Sequence, residues 1–412
     1  MKRLLVSTAC VLFFVVATLA QDPTDVGSPS RLAPNGFDTG DYVYISGQGQ
    51  HRAASAPSDF PAQVRQCLDN IRKVVETAGL TMDHVVYVQV YLEDVSLYPQ
   101  LNEVFANYFP HDPPARAVLG VARVPDSPVQ ITAVAVRDLR DKQPVSLPGF
   151  SQSKAYSPGM LTHDRLFVSS LPAGDFADTP IAKDSAEQVN MALDRLNSVV
   201  QAAKLTLANM VFVNPYLTTA VPMRVMNEQY ARRFEFGNTP ARATIEVSSL
   251  PEGGQITYTG VAVRDLSQRR SIRPKNMPPS PTASPCVFAG ATLYCSAKSG
   301  FIPGPNGGVY SASTKDQTRQ TMRNLLDNLE EADMNFDQVV STTIYLDNLR
   351  DMSQFAGIYQ KYFKGPLPSQ TTLQQLPPAE RTTDKDDHYP DLEQMSLIAV
   401  RAPGNSTMRP LP

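Results

Sequence analysis

The strongest constraint on the fold of this chain of 412 residues is an internal repeat with a period of 123 to 127 residues. A short apolar segment ends on a serine at Ser46, Ser169 and Ser296. The sequence Pro-Ala-Arg-Ala occurs at 114–117 and again at 240–243. Solenoid repeats span only ~20–50 residues, so a period of this length is typical of repeated domains. The predicted domains are residues 28–140, 152–267 and 282–403.

Each copy contains the same order of predicted elements, ββαβαββ. A hairpin with alternating apolar residues comes first, as at Tyr42 and Tyr44. A helix follows, whose apolar residues Val64, Leu68 and Ile71 are three or four positions apart. A strand rich in β-branched and aromatic residues, a second helix and two closing strands complete the copy. This order predicts an α+β domain with both helices on one face of a sheet.

The second face of each predicted sheet also needs a cover. The closing strands are apolar on both sides, as at 132–136 and 261–263. Three such sheets can pack around a threefold axis, as they do in a homotrimer. We therefore predict that one chain forms an intramolecular pseudo-trimer, a monomer that mimics a homotrimer. Three independent domains on a string would instead carry three polar faces.

The N-terminus has the pattern of a secretory signal. Basic residues at 2–3 precede an apolar segment at 4–19, and small Ala20 is followed by a polar segment with Pro23. This pattern predicts cleavage after Ala20 and a secreted or periplasmic protein that has no membrane partner once the signal is removed. The alternative is an uncleaved membrane anchor, although the segment is marginally short of the ~20 residues of a membrane span.

Composition excludes several classes of protein. The chain has 37 Lys and Arg residues against 40 Asp and Glu, so charge does not favour a nucleic-acid partner. Four cysteines exclude a disulfide-dense scaffold. The five histidines do not occur at the spacings of the common metal-site motifs, so no metal is predicted.

Two of the cysteines are placed symmetrically about a predicted turn. Cys286 and Cys295 flank Gly290, so they face each other across the hairpin. In an oxidising compartment this placement predicts a disulfide, and the alternative is two packed thiols.

The copies resemble the RidA family, also called YjgF or L-PSP. In the first copy the resemblance lies in Ile-Ser-Gly-Gln at 45–48, Ala-Gly-Leu at 78–80, Asn102 with Phe105 and Phe109, Pro-Ala-Arg at 114–116, and Ala-Val-Ala-Val-Arg at 133–137. The resemblance implies a chorismate-mutase-like domain that trimerises, with ligand clefts between subunits. It also implies hydrolysis of reactive 2-imino acids, such as 2-iminobutanoate and 2-iminopropanoate, to 2-keto acids without a cofactor. Some members are described as endoribonucleases.

The resemblance assigns the carboxylate-binding role to Arg116 and Arg242. A planar guanidinium suits this role because it binds a carboxylate through two hydrogen bonds. The third copy has Gln370 at this place, which supplies no charge. The alternative for each arginine is a structural salt bridge.

Other residues of the pocket follow from the same resemblance. They are Ser46, Ser169, Asn102, Asn227 and Tyr156. The family's water-positioning glutamate is replaced, by Gln130, Thr257 and Gln394 in the three copies. Neither glutamine nor threonine accepts a proton, and general acid–base catalysis typically contributes ~10²–10⁴-fold.

The sequence therefore predicts a protein that binds small 2-imino or 2-keto acids in clefts between its domains. The first hypothesis is a weak imine deaminase that has lost the family glutamate. The second is a non-catalytic protein that binds carboxylate metabolites, or a scaffold. An endoribonuclease ranks third because the chain has no basic excess.

Overall fold

The computed structural model describes residues 31–49, 59–125, 127–150, 153–172, 184–275, 277–304, 308–384, 388–401 and 408–412. The predicted secretory signal lies outside these residues. Within them, no helix has both the length and the apolar character needed to cross a membrane.

Three units follow one another along the chain. The first contains β1 (Gly36–Asp38), β2 (Tyr42–Gly49), α1 (Phe60–Thr77), β3 (Val85–Leu92), α2 (Tyr98–Tyr108), β4 (Ala115–Gly120) and β5 (Val129–Val136), and β6 (Gln143–Val145) follows it. The second contains β7 (Gly159–Leu161), β8 (Arg165–Val168), α3 (Ser185–Ala202), β9 (Met210–Leu217), α4 (Met223–Ala231), β10 (Ala241–Arg242), β11 (Ile245–Glu246) and β12 (Ile256–Val263), and β13 (Arg269–Ile272) follows it. The third contains β14 (Cys286–Ala289), β15 (Thr292–Ser299), α5 (Thr314–Glu331), β16 (Val339–Leu346), α6 (Met352–Tyr359), β17 (Ser369–Gln374) and β18 (Glu393–Val400), and β19 (Arg409–Leu411) follows it.

The long helices α1, α3 and α5 begin at polar residues that cap their free N–H groups. Asp59 accepts from the Ala62 N–H, Asp184 from those of Ala186 and Glu187, and Ser313 from that of Asp316. Such a cap stabilises a helix by ~1 kcal/mol. In α1 the predicted apolar stripe is buried against the sheet. In α5 the buried face also contains polar side chains, which are Thr314, Gln317, Thr318, Thr321 and Asn328.

Each unit has a mixed sheet that borrows an edge strand from the preceding unit. The sheet orders are β19-β1-β2-β5-β3-β4, then β6-β7-β8-β12-β9-β10, with β11 also on β9, and β13-β14-β15-β18-β16-β17. Strand β6 leaves the first unit and pairs with β7, and β13 leaves the second and pairs with β14. Strand β19 leaves the third unit and pairs with β1 of the first. The exchange is therefore cyclic and joins the three units in a ring.

The sheet faces that carry no helices pack on one another in shared cores, as predicted for a pseudo-trimer. Equivalent aromatic residues of the three units lie in these cores, Tyr44, Phe167 and Tyr294 in one, and Tyr91, Tyr216 and Tyr345 in another. A cavity of about 100 Å³ is lined by residues of all three units. The second face of each sheet is thus buried by the other two units.

Cys286 and Cys295 lie directly opposite each other in the β14–β15 pair. Their sulfur atoms are bonded, and both residues are fully buried in the core of the third unit.

Candidate ligand clefts between the units

The predicted site residues meet at boundaries between units, in the same cyclic order as the strand exchange. The backbone N–H of Arg116 donates to Ser169 Oγ at 2.7 Å. The N–H of Arg242 donates to Ser296 Oγ at 2.8 Å, and that of Gln370 to Ser46 Oγ at 2.9 Å. Each cleft therefore combines the arginine or glutamine strand of one unit with the hairpin of the next.

The serines of these clefts act as links between backbones. Ser169 donates its hydroxyl to the Ser157 carbonyl at 2.5 Å, while it accepts from Arg116. Ser296 donates to the Ser284 carbonyl and Ser46 to the Pro34 carbonyl, each at 2.6 Å. Each serine donates to a carbonyl of its own unit and accepts from the backbone of the preceding unit. These two bonds hold adjacent units in register.

The first cleft, at Arg116, is filled by side chains. Asn102 Oδ1 accepts from Arg116 Nη2 at 2.5 Å. The rings of Phe105 and Tyr156 lie 4.8 Å from the guanidinium carbon, and that of Tyr98 lies at 5.5 Å. Arg116 is 2% exposed, and the space beside it has no room for a water molecule. Arg116, Asn102, Tyr156 and Ser169 are thus brought together, but no open space is left beside the Arg116 guanidinium.

The second cleft, at Arg242, is open. Asn227 Oδ1 accepts from Arg242 Nη1 at 2.8 Å, and the Tyr230 ring lies 5.1 Å from the guanidinium carbon. Arg242 lines a cavity of about 310 Å³. Ala283, which also lines this cavity, stands where Tyr156 covers the guanidinium in the first cleft. The exchange of a tyrosine for an alanine therefore leaves space for a ligand.

Burial lowers the pKa of the Arg242 guanidinium, and the nearby Tyr230 and Tyr258 phenols oppose this shift. Arginine nevertheless keeps its charge at neutral pH, since its ordinary pKa lies above ~12. A partly buried positive charge that faces a cavity favours an anionic ligand there.

The third cleft contains a neutral residue in place of arginine. Gln370 Nε2 donates to Thr372 Oγ1 at 3.3 Å. Gln130 lies directly against Gly47, close to Ser46. Its Oε1 is buried and accepts no hydrogen bond from the described residues. This cleft retains Ser46 but lacks the arginine of the other two, and the residues equivalent to Asn102 and Tyr156 are Ala356 and Ala33.

The residues that replace the family glutamate have different surroundings in the structure. Gln394 lines the cavity at Arg242. Its neighbour Glu393 lies on the other face of β18, where it is 2% exposed and accepts a hydrogen bond from Thr321. Burial raises the pKa of Glu393 to about 8. Thr257 lies opposite Tyr216 in the β12–β9 pair, and no hydrogen bond of the described residues joins it to Arg116 or Arg242. Its role in a pocket stays a prediction.

One basic residue of the open cleft was missed in the sequence. Lys298 of β15 lines the same cavity as Arg242. It follows Ser296 by two positions, where the other copies have Gln48 and Leu171. A comparison of the three copies shows that only the third has a basic residue at this position. To assign that residue to the cleft, one must also know that the hairpin of the third unit faces the arginine of the second.

Comparisons with known proteins identify the family of the chain. A model of the family described as Endoribonuclease L-PSP matches the chain at residues 30–137, 149–263 and 276–379. The RutC family protein PH0854 of Pyrococcus horikoshii is 32% identical over 117 residues, which cover 27% of this chain and 93% of that protein. The YjgF gene product of E. coli has a solved structure that is 33% identical, covers 27% of this chain and 94% of its own, and gives a TM-score of 0.25.

A chorismatase structure covers more of the chain, 77% of it and 93% of its own length, with a TM-score of 0.53. At 13% identity, this is a likeness of fold alone. The three family matches together span most of the sequence, one for each structural unit. The chain therefore belongs to the Endoribonuclease L-PSP family, also called RidA or YjgF, and carries three copies of the family's domain.

Proposed function

We propose that this protein binds small 2-imino or 2-keto acids in the cleft between its second and third units. The observation that carries the proposal is the pair of Arg242 and Asn227 beside a cavity of about 310 Å³. The Arg242 guanidinium supplies the positive charge that binds a carboxylate, and Asn227 fixes the position of the guanidinium. Ligand pockets commonly have volumes of ~300–1,000 Å³.

Slow hydrolysis of a bound imine follows from the chemistry of the cleft. The C=N carbon of a 2-imino acid is electrophilic, and attack by water followed by loss of ammonia yields the 2-keto acid. Gln394 lines the cleft and can hydrogen-bond a water molecule, but it takes no proton from it. We therefore expect a rate below that of an enzyme with a general base, which typically contributes ~10²–10⁴-fold.

A second candidate function is binding of carboxylate metabolites without catalysis. The presence of Gln394 in place of a carboxylate favours it. Both candidates use Arg242, and turnover of an imine separates them.

The test is the hydrolysis of 2-iminobutanoate, generated in situ by an amino-acid oxidase. We expect turnover above the spontaneous rate. Arg242→Ala should lower kcat/KM at least about tenfold, since a hydrogen bond to a charged group contributes ~1.5–3 kcal/mol. Arg224→Ala is the matched control, because Arg224 lies on the same helix as Asn227 with a side chain that is 78% exposed.

Turnover that survives in Arg242→Ala would contradict the assignment of this cleft. Absence of turnover, with 2-oxobutanoate still bound by the wild type, would leave the second candidate. Absence of both turnover and binding would refute the proposal.

A further inference from the structure

The open cleft contains two basic side chains from two different units. Arg242 belongs to β10 of the second unit and Lys298 to β15 of the third. Both line the cavity of about 310 Å³, together with Thr244, Ser296 and Gln394. The described residues that line this cavity include neither an aspartate nor a glutamate. The cleft therefore has a basic residue from each of its two units and, among the described residues that line it, no acidic one.

Lys298 has no counter-ion within the described part of the chain. Burial lowers the pKa of its ammonium group, and no carboxylate of the described residues raises it again. A partly buried ammonium group without a counter-ion is unfavourable, because it has lost part of its hydration without compensation. An anionic group of a ligand would supply this compensation.

A second polar group of the cleft, a hydroxyl, forms no hydrogen bond with the described residues. Thr244 Oγ1 is buried, and none of the described residues bonds to it. Thr244 follows Arg242 by two positions and lines the same cavity. Buried hydroxyl groups are normally hydrogen-bonded, so this one points to a polar ligand atom or an ordered water molecule.

At the position equivalent to Lys298, the other two clefts have no cation. The residues equivalent to Lys298 are Gln48 in the first unit and Leu171 in the second. Arg242 and Lys298 therefore occur together in the cleft that also has the open cavity.

We propose that the open cleft selects dicarboxylic 2-keto or 2-imino acids, with the α-carboxylate on Arg242 and the distal carboxylate on Lys298. This inference rests on the proposed function, since it assumes that Arg242 binds the α-carboxylate. Lys298 is then the specificity-determining residue, and acids with a second carboxylate are the preferred ligands.

The test is isothermal titration calorimetry of the full chain with two stable keto acids, 2-oxoglutarate and 2-oxobutanoate. Wild type should bind 2-oxoglutarate at least about tenfold more tightly, because of one additional charged hydrogen bond. Lys298→Met should remove this preference by weakening 2-oxoglutarate alone, and Lys298→Arg should retain it. Lys73→Met, a neutralisation at an exposed position of α1, should change neither affinity.

Equal wild-type affinities for the two acids, or a preference that survives in Lys298→Met, would overturn this inference and leave the proposed function intact. Binding of neither acid would refute the proposed function itself. Thermal unfolding of each variant reports whether it folds. If Lys298→Met does not fold, the wild-type preference and the Lys298→Gln variant decide the question.

Discussion

The two arginine clefts differ in the residue that lies beside the guanidinium. Tyr156 covers Arg116 in the first cleft, and Ala283 leaves Arg242 beside an open cavity in the second. Both arginines are held by an asparagine from the preceding helix and by a serine from the next unit. Both clefts therefore contain an arginine, and they differ in whether an aromatic ring fills the space beside it.

This comparison predicts the effect of a ring in the second cleft. Ala283→Tyr should weaken binding of 2-oxobutanoate at least about tenfold, because the new ring occupies the space beside Arg242 as Tyr156 does beside Arg116. Titration calorimetry measures the affinity, and thermal unfolding checks the fold. Ala33→Tyr is the matched control, since Ala33 is the equivalent residue at the third cleft, which lacks the arginine. An unchanged affinity in Ala283→Tyr would show that the ligand lies elsewhere.

The sequence could predict the cleft residues that belong to the family's motifs, but not a residue particular to one copy. Arg116 with Asn102, and Arg242 with Asn227, were predicted because they match those motifs. Lys298 was missed because it matches none of them and shares a cavity with Arg242 only across a boundary between units. A repeat in the sequence identifies equivalent positions, but it does not say which unit each position faces.

At the scale of elements, the strand exchange was the part of the fold that the sequence concealed. Helices such as α1 were predictable because their apolar residues repeat over 18 positions. Strands β6, β13 and β19 have only three or four residues each, too few for a periodic pattern. Their hydrogen bonds come from the sheet of the adjacent unit, so only the assembled ring explains why these segments are extended.

Strand β19 should stabilise the first unit although it lies at the other end of the chain. Leu411 is 1% exposed in the first unit's core, and its carbonyl accepts from the Asn35 N–H at 3.0 Å. Leu411→Ala should lower the free energy of unfolding by about 2–5 kcal/mol, the usual cost of truncating a buried leucine. Urea unfolding followed by circular dichroism measures this loss. Leu32→Ala, at a residue that is 90% exposed, should cost far less, and equal losses would contradict the packing of β19.

At the scale of the whole molecule, one buried arginine joins all three units. Arg165 of the second unit donates to Tyr294 at 2.8 Å and to Thr292 at 2.7 Å, both in the third unit. Its guanidinium carbon lies 4.4 Å from the ring of Tyr42 in the first unit. Tyr42 and Thr292 are the residues equivalent to Arg165 in their own copies. A homotrimer would place three identical side chains at these positions, whereas the triplicated chain places three different ones that complement each other.

This arrangement predicts that Arg165 holds the ring together. Arg165→Met should lower the free energy of unfolding by about 2–6 kcal/mol, because it leaves the buried hydroxyls of Tyr294 and Thr292 without their hydrogen-bond donor, at ~1–3 kcal/mol for each. The chain has no tryptophan, so urea unfolding is followed by tyrosine fluorescence and circular dichroism. Arg140→Met is the control, since the Arg140 side chain is 88% exposed and pairs only at the surface with Asp138. If both variants lose less than about 1 kcal/mol, the typical upper value of a surface ion pair, the apolar cores alone hold the three units in place.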